Sequence, residues 1–263
     1  LKIVETNPSD GLQGQAGFRL DIEPGQNQRD AIANAGANLA IWGTNEDRNK
    51  QAIETLGKAG SGKMHAWKVN VADEDQVENG FAEVLEHFGR VDSTFANAGI
   101  GNLAGTFADM DTKAYREVLA VNLDGAFFTL RVAARHMVAR AKDGDPGGSL
   151  VGVASLAATE GAARNQHYSA SKAGLTGIIR GIAVEYGRYG IRANSVLPGW
   201  IATDMTAGAQ GNDKFADKVI TRVPAARWGE PVDFGGIAVY LVSDASSFHS
   251  GDLFKIDGGY SVF

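Results

Sequence analysis

The run NLAIWGTNEDRNKQAIETLGKAGSGKMHAWKVNV, residues 38–71, holds two short apolar segments, NLAIW (38–42) and MHAWKVNV (64–71). Between them, over 45–58, apolar residues recur at three- and four-residue steps. The outer segments read as strands and the middle one as a helix. A helix between two strands carries the chain back across a sheet, so the two strands run parallel. The same alternation continues outward through VDSTFA (91–96), SLVGVA (149–154), IRANSVL (191–197) and DLFKI (252–256), with helical stretches at 73–88, 112–141, 165–187 and 231–243. This predicts an α/β protein built on a doubly wound parallel sheet with helices on both faces. Ligands of such sheets sit beyond the carboxyl ends of the strands, so the residues that follow each apolar run carry the chemistry.

Composition narrows the function. The chain has 263 residues, with 25 Lys+Arg against 31 Asp+Glu, a net charge of −6. An acidic chain without a basic face excludes a nucleic-acid binder. With no cysteine, disulfides, thiolate metal sites and cysteine nucleophiles are excluded. The five histidines, at 65, 87, 136, 167 and 249, show no ligand spacing, so no metal site is expected. The opening LKIVETNPSD lacks an apolar leader core, and no run reaches the ~18 apolar residues needed to span a bilayer. A cytoplasmic protein with no membrane partner is expected. The whole of 1–263 reads as one domain, with 1–15 an N-terminal extension.

Tyr168 and Lys172 stand in Y-S-A-S-K at the start of the helix 165–187, four residues apart on one helical face. A phenol titrates near ~10, and making it a proton shuttle near neutrality takes about 4 kcal/mol. One ammonium about 4 Å away supplies that much at an effective dielectric of ~20. Ser155 follows the apolar run SLVGVA, where its hydroxyl meets a substrate oxygen at a strand's carboxyl end.

With N-A-G at 97–99, V-N at 121–122, Ser155, Y-x-x-x-K at 168–172, P-G at 198–199 followed by Thr203, and D-G-G at 257–259, the chain from Ala35 onward resembles the short-chain dehydrogenase/reductase family. The resemblance implies a Rossmann-like fold and hydride transfer between NAD or NADP and an alcohol or ketone carbon. It makes Tyr168 the general acid/base, Lys172 the residue that lowers the phenol's pKa and grips the nicotinamide ribose, and Ser155 the group that orients the carbonyl. By the same likeness, Asn122 holds a water of the proton relay and Asn97 and Gly99 lie under the cofactor ribose. Asn70 and Val71 meet the adenine, while Pro198, Gly199, Ile201 and Thr203 meet the nicotinamide carboxamide. Residues 203–226 form a substrate lid, with Trp200, Met205 and Phe215 as an apolar wall. The resemblance also implies a homo-oligomer, with a tetramer favoured, and the small residues Gly174, Gly177 and Gly181 on the helix 165–187 permit the close helix approach it needs.

One segment departs from the family. Its T-G-x-x-x-G-x-G phosphate loop is replaced by AGFRLDIEPGQNQRDAIANAGA (16–37), where only Gly25 matches a glycine position. Phe18, Leu20 and Ile22 alternate with Arg19, Asp21 and Glu23, the pattern of a strand with one wet face. Either this segment has diverged, with dinucleotide binding impaired and a catalytically silent binding module as the alternative function, or the recorded sequence is locally misassigned. Gly43 and Thr44, at the end of the second strand, offer neither the acid that favours NAD nor the arginine that favours NADP. With no base placed for a 2′-phosphate, NAD is favoured. G-K-A-G-S-G-K-M (57–64) approaches a triphosphate-binding loop, but it closes a helix instead of opening one, and Met64 replaces the Mg²⁺-binding hydroxyl.

Overall fold

A computed structural model describes residues 2–5, 28–101, 105–203 and 206–263. Gly25, the alternating run 18–22 and Met205 lie outside the described residues. Seven described strands form one sheet: β1 (Lys2–Glu5), β2 (Asn38–Gly43), β3 (Met64–Lys68), β4 (Ser93–Ala96), β5 (Gly148–Val153), β6 (Ile191–Pro198) and β7 (Leu253–Ile256). They lie in the order β3-β2-β1-β4-β5-β6-β7. The β2–β3, β4–β5, β5–β6 and β6–β7 pairs are parallel, as the alternating pattern predicts. The centre corrects that prediction in one place. Residues 2–5, expected to precede the fold, fill the slot between β2 and β4 and run antiparallel to both. That slot demands main-chain partners on both sides, and an antiparallel strand supplies them as well as a parallel one.

The helices α1 (Gln28–Asn34), α2 (Glu46–Ala59) and α9 (Gly235–Val242) cover one face, and α3 (Glu74–Phe88), α5 (Gly125–Lys142) and α6 (Gln166–Tyr186) the other. Alternate strand residues feed the two cores. Leu39, Ile41, Val151 and Val153 pack on the first face with Ile32, Leu56 and Leu241, whereas Ala40, Trp42 and Leu150 pack on the second with Phe81, Leu130 and Ile179. This two-sided burial explains why the strands read as continuous apolar runs. The stretch 112–141 divides into α4 (Thr112–Leu119), a five-residue π-turn at Ala120–Asp124, and α5. The strand expected over 64–71 ends at Lys68. Asn70 then turns the chain, its Oδ1 accepting from Ala72 N at 3.1 Å, and Asp73 caps α3 by accepting from Gln76 N.

At the amino end of β4, His136 Nε2 accepts from Val91 N at 3.2 Å. Burial first, and the Arg140 charge second, hold this imidazole down at about 4. The unfolded chain titrates near 6.5 and so binds the proton more readily; stability is intact above pH 6.5 and is lost as pH falls towards 4. The loss reaches about 3 kcal/mol. Urea midpoints at pH 7 and pH 4.5 should show it, and His136→Gln, whose amide oxygen still accepts from Val91, should shrink the difference between the two.

Candidate active site

Two loops, at the carboxyl ends of β4 and β5, converge on the first turns of α6. Ser155, two residues past β5, accepts at its Oγ from Ala157 N at 3.1 Å and lies close enough to the Tyr168 hydroxyl to act on its pKa. Tyr168 belongs to the first turn of α6, and Lys172 lies one turn on, only 3% exposed. The Lys172 ammonium donates to Val153 O at 2.8 Å and stands 5.7 Å from the Tyr168 ring centre. Sequence spacing brought these three residues to one place, but the electrostatics differ from the expectation. Burial pushes the Tyr168 phenol up, only partly opposed by the Ser155 hydrogen bond. Burial likewise pulls the Lys172 ammonium down to about 8. Desolvation penalises the charged form of each group, and the ammonium's hydrogen bond goes to a main-chain carbonyl.

Asn122 is fully buried in the π-turn, a departure from α-helix that recurs at functional sites. Its Oδ1 accepts from Ile100 N at 2.8 Å, while its Nδ2 donates to Ile100 O at 2.9 Å and to Ser171 Oγ at 3.1 Å. Ser171 Oγ in turn donates to Tyr168 O at 2.7 Å. One amide therefore ties the 97–100 loop to the helix that bears Tyr168 and Lys172. Ser171, fully buried, was missed at the level of sequence even though it lies inside Y-S-A-S-K. Its only sequence signal was a serine in a helix interior, where the hydroxyl turns back on the main chain. Asn122→Ala should cost about 1–2 kcal/mol, because it removes two bonds to the half-exposed Ile100 backbone and the buried bond to Ser171 Oγ. Urea denaturation of the variant measures it.

Gly99 is tightly confined: an added Cβ would stand 3.2 Å from Lys172 Nζ and 3.4 Å from Asn122 Oδ1. Asn97 is 7% exposed, and its Oδ1 is buried without a hydrogen-bond partner. Val71 is buried against Gly125, whereas Asn70 is exposed with its oxygen engaged in the turn before α3. Gly199 is required by close packing, since a Cβ there would meet Asp257 at 2.7 Å. It follows Pro198, the last residue of β6, and Ile201 forms a bridge with Gly229. Beyond it Thr203 N donates to Thr206 Oγ1 at 3.1 Å, and Thr206 Oγ1 donates to Ile201 O at 2.6 Å. Next come the short helices α7 (Ala207–Gln210) and α8 (Asp213–Ile220), the latter setting Phe215 edge-on to Trp200 with ring centres 5.2 Å apart. A cavity of about 260 Å³ behind this loop is lined by Trp200, Arg227, Asp233 and Asp257, not by Ser155, Tyr168 or Lys172. It is smaller than the ~300–1,000 Å³ of ordinary ligand sites.

A nicotinamide nucleotide fits the part of the site that is described. The orphaned Asn97 oxygen, the buried Lys172 ammonium and the side-chain-free backbone of Gly99 gather at one strand end. Among the described residues no group of three or more His, Asp or Glu could hold a metal ion, and no helix is long and apolar enough to cross a membrane.

The architecture is that of the Rossmann-like α/β proteins. Residues 25–261 match the family described as enoyl-(acyl carrier protein) reductase. The L-rhamnose 1-dehydrogenase (NAD(P)(+)) of Azotobacter vinelandii is 36% identical over 88% of this chain and 89% of its own length. The gluconate 5-dehydrogenase of Gluconobacter oxydans is 31% identical, covering 85% of this chain and 88% of its own. A gluconate 5-dehydrogenase from Burkholderia cenocepacia, solved in complex with NADP and tartrate, superposes with a TM-score of 0.82 at 27% identity, over 90% of each chain. The chain belongs to the short-chain dehydrogenase/reductase family.

Proposed function

We propose that this protein is an NAD(P)-dependent dehydrogenase that oxidises a hydroxyl of a sugar or sugar acid, or reduces the matching carbonyl. The observation that carries this reading is the placing of Ser155 just past β5 and of Tyr168 on the first turn of α6, with a buried lysine one turn along the same helix bonded to the last residue of β5. When bound, the nicotinamide supplies the hydride acceptor or donor. Ser155 Oγ holds the substrate oxygen against the Tyr168 hydroxyl, and Tyr168 takes or gives the proton at that oxygen. Lys172 and Asn97 hold the nicotinamide ribose, with Gly99 beneath it. Pro198, Gly199, Ile201 and Thr203 hold the carboxamide, and Asn70 and Val71 the adenine. Asn122 keeps the ribose-side loop and α6 in register. A silent binding scaffold gives no reason to keep an ammonium buried at an energetic cost.

The lid reading of 203–226 is supported by the Thr206 bonds that pin its first turn and by Phe215 against Trp200. NAD is favoured, because neither Gly43 nor Thr44 supplies a base for a 2′-phosphate. A homo-oligomer formed through α6 is supported at Gly177 and Gly181, where an added Cβ meets nothing within 4 Å, and by Val184, 87% exposed. Gly174 does not share that open face, since its Cβ would meet Leu123 at 2.9 Å. Assays of neutral sugars and aldonates with NAD⁺ and with NADP⁺, beside NADH and NADPH titrations, test the reading. Reduction of neither nucleotide by any of these substrates would overturn it.

A further inference from the structure

We propose that Asp257 is a positioning residue for the nicotinamide half of the cofactor; this rests on the dehydrogenase reading above. It seats two segments on one turn: the loop that meets the carboxamide, and the closing end of the lid. The D-G-G run at 257–259 follows β7 directly and lies between them. On one side, Gly199 N donates to Ile256 O at 3.0 Å, and a Cβ added at Gly199 would stand 2.8 Å from Asp257 Cα. The nicotinamide loop therefore rests on Asp257 itself. On the other side, Ala225 N donates to Gly258 O at 3.1 Å. A Cβ added at Gly258 would meet Val223 at 2.7 Å, and one at Gly259 would meet Pro224 at 2.9 Å. Arg222 joins the same contact, its Nη1 donating to the Tyr260 hydroxyl at 3.1 Å and its guanidinium lying 4.4 Å from that ring's centre.

The Asp257 carboxylate shapes the turn. Its Oδ1 accepts from Gly259 N and its Oδ2 from Ser261 N, both at 2.9 Å, while its main-chain oxygen accepts from Tyr260 N at 3.2 Å. An aspartate that ties down main-chain N–H groups a few residues ahead stabilises a turn. Here it holds Gly258 and Gly259 at φ 64° and 90°, conformations that an L side chain resists. The cavity of about 260 Å³ is bordered by Ile201 of the loop, by Val223 and Ala225 of the lid, and by Asp257 and Gly258 of the turn. A cavity gives its neighbours no packing, so the turn sets the spacing at this end of the lid. The turn serves one half of the cofactor only. It follows β7, whereas Asn70 and Val71, assigned to the adenine, follow β3 at the opposite edge of the sheet. Hydride transfer is sensitive to placement, since a 1 Å error costs ~10²-fold.

The test measures dissociation constants for NADH and for ADP-ribose, the same nucleotide without its nicotinamide, in the wild type, Asp257→Ala and Asp257→Asn, together with kcat. NADPH and 2′-phospho-ADP-ribose take their place if the wild type binds NADPH more tightly. Asp257→Ala should weaken NADH about tenfold or more while ADP-ribose stays within about twofold of wild type. Its kcat should fall about 10- to 100-fold, because the ring is no longer held against the substrate. Asp257→Asn, whose amide oxygen still accepts from one of the two N–H groups, should lie between, and it carries the test if the alanine variant does not fold. Equal loss of both ligands, or loss of neither, shows a turn that serves the fold alone; it overturns the role of Asp257 and leaves the dehydrogenase reading standing. Failure of both variants to fold does the same. A wild type that binds neither NADH nor NADPH overturns both.

Discussion

Tyr168→Phe should lower turnover by about 10³-fold or more, while the nucleotide dissociation constant and the urea midpoint change little. The substitution removes one oxygen from a side chain in the first turn of α6, and the Ser155 hydroxyl that loses it still bonds to Ala157 N. Nothing else in the described site leans on that phenol, so folding is spared. What disappears is the group that moves a proton at the substrate oxygen, and a general acid/base contributes ~10²–10⁴-fold on its own. Steady-state rates in both directions, paired with NADH fluorescence titration, separate the two effects. Turnover within tenfold of wild type would remove Tyr168 from the chemistry.

Lys172→Met should make the protein more stable and inactive at once. The folded ammonium titrates at about 8 against 10.5 for the solvated lysine of the unfolded chain, so the folded chain resists the proton. Below pH 8 the full penalty applies, about 3 kcal/mol for that difference, and it fades as pH rises towards 10.5. Methionine fills the same space without a charge. The Val153 carbonyl then loses its 2.8 Å donor, at a cost of about 1–2 kcal/mol. The net gain at pH 7 is about 1–2 kcal/mol, and it should vanish near pH 10. Urea denaturation across that range checks the sign. A variant less stable than wild type at pH 7 would show that the Val153 bond outweighs the burial. Activity should fall at least 100-fold, since the ribose loses its cation and the proton path its neighbour.

The π-turn at 120–124 and the β1 insertion show where sequence patterns stop being informative. A helical period runs through 112–141 without a break, because inserting one residue into a turn barely changes the spacing of apolar side chains. Lys2–Glu5 is four residues long, too short for any period to separate it from loop. Ser155, Tyr168 and Lys172 were legible because each follows a strand or sits a helical turn from its neighbour, distances that local geometry fixes. The double bond of Asn122 to Ile100, 22 residues away, and its link to Ser171, 49 residues away, were not legible, because the partners are chosen by how the helices pack.

By itself the sequence determined the alternating strands and helices, the two-sided burial of the strands, and the spacing that sets a phenol and an amine on one face of α6. Those features depend on covalent distance and side-chain period alone. Only the tertiary structure decided which segment fills the centre of the sheet, that Asn122 serves as a clamp, and that burial sets the shifts of Tyr168 and Lys172. These depend on which groups lose water together, and that is settled when distant segments pack against one another.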